Sequence, residues 1–203
     1  PKIKDQPNRK ENKVDLFSAI ETRTSCREFL PDAIDKPTIE KILAAGVRAP
    51  SPLNAQPWHF IVITAQAKKQ DIYAEAERCR AWAIEQSGWT WLGKYKTDFL
   101  LQAPVLVAVV GDPKKSGMDR FQEDGPVGYQ LACAAAIQNM MLAAHALDLG
   151  SLFFTLFEKS HIRRLLDISD EKTPVALVCI GKPKEPQDPV PRKDVEAKTV
   201  YLD

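Results

Sequence analysis

Residues 48–60 read RAPSPLNAQPWHF. Its prolines, Pro50, Pro52 and Pro57, rule out a regular helix or central strand across the stretch. A helix-periodic segment leads into it, and a strand-length apolar run, WHFIVIT (58–64), leaves it. The stretch is therefore a stiff helix-to-strand turn, and it frames the chain as helices interleaved with strands. Ser51, Asn54 and Gln56 sit on this stiffened backbone. Hydroxyl and amide groups held rigidly can read the polar edge of a planar ring without using charge. A plain proline-rich connector is an equal reading of these residues alone.

On the N-terminal side, KPTIEKILAAGVRA (36–49) predicts a helix. Pro37 suits its first turn, and Ile39, Ile42, Leu43 and Gly46 form one stripe. Before it, VDLFSAIETR (14–23) predicts a helix capped by Asp15, with Leu16, Phe17 and Ile20 on one face. On the C-terminal side, WHFIVIT reads as a central strand. A polar helix (65–86) follows, then SGWTWLGKYKTDFLLQA (87–103), and then a second buried strand, PVLVAVVGD (104–112). The longest helix, 127–150, is apolar nearly all round and should be central, with Gly150 as its C-cap. SLFFT (151–155) is a short strand, EKSHIRRLLD (158–167) a short helix and PVALVCIG (174–181) a third strong strand. The fold class is α+β, a mixed central sheet covered by helices. Residues 1–13 read as a solvated tail, 14–182 as one domain and 183–203 as an extended, proline-rich arm ending in a possible edge strand, TVYL (199–202).

Composition narrows the function. The chain has 203 residues, 44% of them hydrophobic, and a net charge of +1. No basic stripe suggests nucleic acid, and no apolar run has membrane-spanning length. Cys26, Cys79, Cys133 and Cys179 form no CxxC pair and no metal-ligand spacing with histidine, which suits a reducing, cytoplasmic setting. His59, His145 and His161 read as structural. No nucleophile–base pair or carboxylate pair stands out.

What remains is a distributed set. In RTSCREF (23–29), Arg23 and Arg27 flank Thr24 and Ser25, an array of donors suited to a phosphate monoester. Taken on its own, that stretch is better read as a basic surface helix end. Arg192 lies in the proline arm. Trp82, Trp89, Trp91 and Tyr95 are either core or a lid for a flat ligand.

Taken in order, AIETRTSCREFLPDAI (19–34), LAAGVRAPSPLNAQPWHFIVI (43–63), AIQNMMLAAHALDLGS (136–151) and VCIGKPKEP with PVPR (178–192) resemble the motifs of the nitroreductase family. The resemblance runs from about Leu16 to Arg192. It implies an FMN-dependent enzyme using NAD(P)H as co-substrate in a ping-pong cycle. The expected acceptors are small nitroaromatics, quinones or related conjugated compounds. It also implies an intertwined homodimer with FMN sites shared between subunits. Carried over by motif, Arg23 and Ser25 hold the phosphate and ribityl end, Thr24 adds a backbone contact and Arg192 closes on the phosphate. Arg27 lies near the pyrimidine edge of the flavin. Pro50, Ser51, Pro52 and Asn54 arrive from the partner subunit. The run SLFFTLFEK (151–159) departs from the common family pattern and is similar to the iodotyrosine-deiodinase branch, making Thr155 a candidate contact to the flavin N5 that favours one-electron steps. The rival functions are reductive dehalogenation by the same flavin, or FMN sequestration without turnover.

Overall fold

The structure is a computed structural model that describes residues 14–202. The tail reading for 1–13 lies outside the described residues. In chain order the regular elements are α1 (Leu16–Thr22), α2 (Lys36–Val47), β1 (Trp58–Ile63), α3 (Gln66–Ser87), α4 (Phe99–Gln102), β2 (Val105–Gly111), α5 (Gly128–Ala146), β3 (Gly150–Phe154), α6 (Lys159–Leu165) and β4 (Thr173–Gly181).

The strands form one sheet in the order β1-β2-β4-β3, and every strand pair is antiparallel. The expected mixed pairing survives only as an isolated parallel bridge between Ser25 and Ser151. β1 is an edge strand, not a central one. Its apolar run reports that both faces are partly covered, Phe60 packing toward one layer and Ile61 toward the other. Which neighbours a strand hydrogen-bonds is a separate matter that composition does not encode.

Alternation along the two central strands divides the core into two layers. Val105, Val107 and Val109 of β2 join Ala176, Val178 and Ile180 of β4 beneath α2 and α5. Leu106 and Ala108 join Leu177 and Cys179 beneath α3, α4 and α6. The register keeps these sets together, pairing Val107 with Val178 and Leu106 with Cys179. A slip of one residue would exchange the two faces.

Local signals explain several helix ends. Asp15 Oδ1 accepts from the N–H groups of Phe17 (3.0 Å) and Ser18 (3.2 Å). Asp35 does the same for Thr38 at 2.8 Å, with Pro37 in the first turn of α2. Gly46 lets α2 approach α5 closely, since a Cβ there would lie 2.8 Å from Met140 Cγ. α5 ends earlier than expected. Leu147 is its C-cap, and Asp148, at φ 59°, takes the left-handed position assigned to Gly150. The Leu149 N–H closes the turn on the Ala144 carbonyl at 2.9 Å. Gly150 instead opens β3, where a Cβ would sit 2.7 Å from that of Cys26.

Three further expectations change. The apolar stripe of α1 is turned outward, with Leu16 61% and Phe17 79% exposed, while Ala19 is buried. Trp82, Trp89 and Trp91 are mostly exposed and form no part of the core, although Leu92, next to Trp91, is buried. TVYL is not a strand, and Val200, Tyr201 and Leu202 are exposed.

Candidate functional site

Asp15 and the short α1 deliver the chain to Arg23, where the backbone turns extended. From there residues 25 and 26 meet the start of β3 and residues 28–30 run beside 182–184, the chain leaving β4. The Cys26 N–H donates to the Ser151 carbonyl at 2.9 Å, and the Leu30 N–H to the Lys182 carbonyl at 2.9 Å. The Lys184 N–H returns the pairing to the Glu28 carbonyl at 3.0 Å. Cys26 and Phe29 anchor this segment in the core. Gly150 makes the approach of Cys26 sterically possible, because its own Cβ would also crowd Pro183 at 3.0 Å.

This arrangement turns Arg23 and Thr24 into a cleft of about 520 Å³, shared with His145, Ser151, Lys182 and Lys184. Asp148 and Glu185 also line it. The Arg23 Nη1 is buried and has no hydrogen-bond partner among the described residues. Burial, and after it the nearby charge of Arg192, lower the proton affinity of Arg23. Two guanidiniums thus come near each other from opposite ends of the sequence. Burial and then Arg23 hold His145 below the ordinary histidine range, and its Nε2 lies 2.8 Å from Thr22 Oγ1. An unsatisfied buried cation beside a second cation is costly unless an anion joins them. The donor set fits a phosphate monoester.

Thr155 lies just beyond β3, four residues past Ser151. An extended chain covers that interval in roughly 13 Å. Thr155 lines a second cleft, of about 450 Å³, with Trp82, Arg78, Cys79, Phe157 and Glu158. Phe153, between the two clefts on β3, is partly exposed at the sheet edge. Arg27 departs from the phosphate group of residues. It lines a separate recess of about 330 Å³ with Lys94 and Tyr95, and its Nη1 meets the Ser25 carbonyl at 3.4 Å.

The proline turn is a third, independent feature. Pro52–Asn54 forms a 3-10 turn, and Leu53, Asn54 and Gln56 all have positive φ, at 53°, 53° and 46°. Such conformations cost about 1–3 kcal/mol each outside glycine and persist only where neighbours enforce them. Here the Gln56 N–H donates to Ser51 Oγ at 3.0 Å, and Pro52 packs against Gly117, where a Cβ would lie 2.6 Å from the proline ring. The result is a rigid prow with Leu53 at its exposed tip. Pro50, Ser51, Pro52 and Asn54 line neither the Arg23 cleft nor the Thr155 cleft.

Arg23 and Thr24 therefore share one cleft, with Arg192 close enough for its charge to act on Arg23, while Ser25 and Arg192 do not line that cleft and Arg27, Thr155 and the turn stand apart within one chain. Sequence reading missed Lys182, Lys184 and His145 in the Arg23 cleft. The two lysines follow β4 directly in GKPK, a signal hidden by the proline arm. It also missed Arg78 and Glu158 beside Thr155, which are 80 residues apart.

Comparison with known proteins gives one family match: the model described as Nitroreductase family covers residues 20–182. A 5,6-dimethylbenzimidazole synthase from Rhodobacter capsulatus is 32% identical, over 85% of this chain and 86% of its own length. An NADH dehydrogenase from Thermus thermophilus is 26% identical, over 93% of this chain and 96% of its own. Among solved structures, oxidized iodotyrosine deiodinase bound to FMN and 3-iodo-L-tyrosine superposes with a TM-score of 0.78. It is 22% identical and covers 93% of this chain and 99% of that one, a likeness of fold.

Proposed function

This chain belongs to the nitroreductase family, and on that premise we propose that it is an FMN-dependent oxidoreductase. In this reading it moves reducing equivalents from NAD(P)H to nitroaromatic, quinone or related conjugated acceptors by a ping-pong cycle. The observation that carries the proposal is the buried, unpartnered Nη1 of Arg23 in a cationic cleft near Arg192. Arg23, Thr24, Ser25 and Arg192 would hold the phosphate end. When bound, FMN supplies the hydride and electron chemistry. The protein's own task is to bind, orient and stabilise charge, which accounts for a site without a catalytic triad. Arg27 is assigned the pyrimidine edge, where a fixed cation stabilises developing negative charge. Thr155 is assigned the N5 side, a position supported by the roughly 13 Å from Ser151 along the sheet edge.

Pro50, Ser51, Pro52 and Asn54 are assigned to the flavin of a second subunit in an intertwined homodimer. Their rigidity, and their separation from Arg23 within one chain, support this. The outward apolar face of α1 is a further reason for a partner copy. The free Cys26, Cys79, Cys133 and Cys179 support a reducing, cytoplasmic location, and no described helix is long and apolar enough to cross a membrane.

A second reading, reductive dehalogenation by the same flavin, is favoured by one observation: Thr155 lines the cleft walled by Trp82. Anaerobic spectroscopy of the yellow, FMN-loaded protein tests the proposal. NADH or NADPH should bleach the flavin, and a quinone or nitroaromatic should restore it. Bleaching restored only by a halogenated phenol would favour the second reading. Tight FMN with no bleaching by either nucleotide would refute both and leave a sequestering protein.

A further inference from the structure

A cluster outside the flavin-binding residues joins α3 to the start of α6. The Glu75 carboxylate of α3 is buried. Its Oε1 accepts from the Glu158 backbone N–H at 2.8 Å and from the Cys79 thiol at 3.1 Å. Arg78 Nη2 donates to the same oxygen at 3.0 Å, and these three donors fix the carboxylate so that Oε2 faces His161. Glu158 caps α6 and His161 lies three residues on, a spacing that puts both on one side of the helix. The His161 Nδ1 is 3.8 Å from Glu75 Oε2 and 3.6 Å from Glu158 Oε2. It is buried and has no hydrogen-bond partner among the described residues.

Those separations are too long for hydrogen bonds. They are close to the spacing of two ligands that share one ion: nitrogen and oxygen atoms each about 2.1 Å from a tetrahedral zinc lie about 3.4 Å apart. The three ligand atoms lie within 4.8 Å of one another. One imidazole and two carboxylates, with the fourth position open to water, is a donor set that zinc accepts. We propose that Glu75, Glu158 and His161 form a divalent transition-metal site, with zinc the matching ion, and that Arg78 occupies the place of the ion's charge when no metal is bound.

Arg78 explains how the cluster persists without an ion. Its Nε donates to Glu75 Oε2 at 2.8 Å and its Nη2 to Glu158 Oε2 at 2.7 Å. Two carboxylates against one guanidinium leave the cluster with one net negative charge. A divalent ion neutralises both carboxylates and frees Arg78, whose side chain is 46% exposed and has solvent to move into. The Cys79 thiol and Glu158 N–H remain as the outer contacts that orient the Glu75 ligand. Because Arg78 and Glu158 also wall the Thr155 cleft, the site would lie against the acceptor end of the molecule.

The test is a zinc titration of the full chain, stripped with chelator beforehand, against a chromophoric competitor. The parent should take up one zinc per chain. His161→Ala should weaken uptake at least tenfold, and Arg78→Ala should tighten it at least tenfold, since the competing cation is gone. An ion-pair network with no metal function predicts the opposite for Arg78→Ala, a loss of stability with no gain of zinc. Should Arg78→Ala fail to fold, Glu158→Gln serves with His161→Ala, and both should lose uptake relative to the parent. Absence of a saturable site in the parent, or retention of the parent's affinity by His161→Ala, overturns the proposal.

Discussion

Replacing Arg23 with methionine separates what this residue does for the fold from what it does for a ligand. Methionine keeps much of the apolar stem and removes the guanidinium. In the free protein the Nη1 is buried and unpaired, and Arg192 is the neighbouring charge. An unsatisfied buried donor costs about 1–3 kcal/mol. Arg23 is only partly buried, so the lower end applies, about 1 kcal/mol. The ligand-free variant should therefore be slightly more stable than the parent, by about 2–4 °C in Tm for a chain of this length. With FMN the sign reverses. Two charge-assisted hydrogen bonds to a phosphate contribute about 1.5–3 kcal/mol each, so their loss should raise the Kd roughly 10²–10⁴-fold. The assay is thermal unfolding of the stripped protein across an FMN series, with Kd taken from the ligand-dependent rise in Tm. FMN affinity within about threefold of the parent's would refute the assignment, since that is far below one lost charge-assisted bond. A clear drop in ligand-free Tm would refute the claim that Arg23 is held at a cost to the fold.

Gly150→Ala should destabilise the chain by about 1–3 kcal/mol, because the new Cβ would meet Cys26 Cβ at 2.7 Å, Cys26 Sγ at 2.8 Å and Pro183 Cγ at 3.0 Å. It should also displace Arg23–Ser25 and lower FMN affinity; urea unfolding together with FMN titration checks both. Glu75 sets an acid-stability signature. Burial works to raise its pKa, but Arg78, the Glu158 N–H and the Cys79 thiol overcome it and hold the carboxylate at about 2, against 4.5 as the ordinary value. A depressed carboxylate stabilises the fold above its unfolded pKa, and that contribution fades as pH falls from about 4.5 toward 2. The shift corresponds to about 3 kcal/mol. In chelator-containing buffer the stability gap between the parent and Glu75→Gln should narrow by about that amount across this window, and a constant gap would contradict the assignment.

Much of the fold was legible because its signals are local. Asp15 and Asp35 announce helix starts through their own side chains, and Pro37 fits only a first turn. The strands β2 and β4 are continuous apolar runs because helices cover both of their faces. The site was legible only in pieces. RTSCREF and PVPR each read as ordinary basic surface, and nothing in either says that Arg23 and Arg192 meet. Asp148, not Gly150, takes the left-handed turn, and Gly150 instead leaves space for Cys26, more than a hundred residues earlier.

By itself the sequence determined the kind of fold this is: α+β, with a stiffened turn at 48–60 and arginines at 23, 27 and 192 whose shared role no single stretch declares. The tertiary structure decided which of those residues act together. It placed β1 at the sheet edge, turned the apolar stripe of α1 outward, and joined Glu75 to Glu158 and His161. Periodicity and capping are written within a few residues and survive reading along one dimension. Hydrogen-bond partners, the desolvation of a cation and the gap around an imidazole nitrogen are set by groups distant in sequence, and they exist only once the sheet and its two helical layers close together.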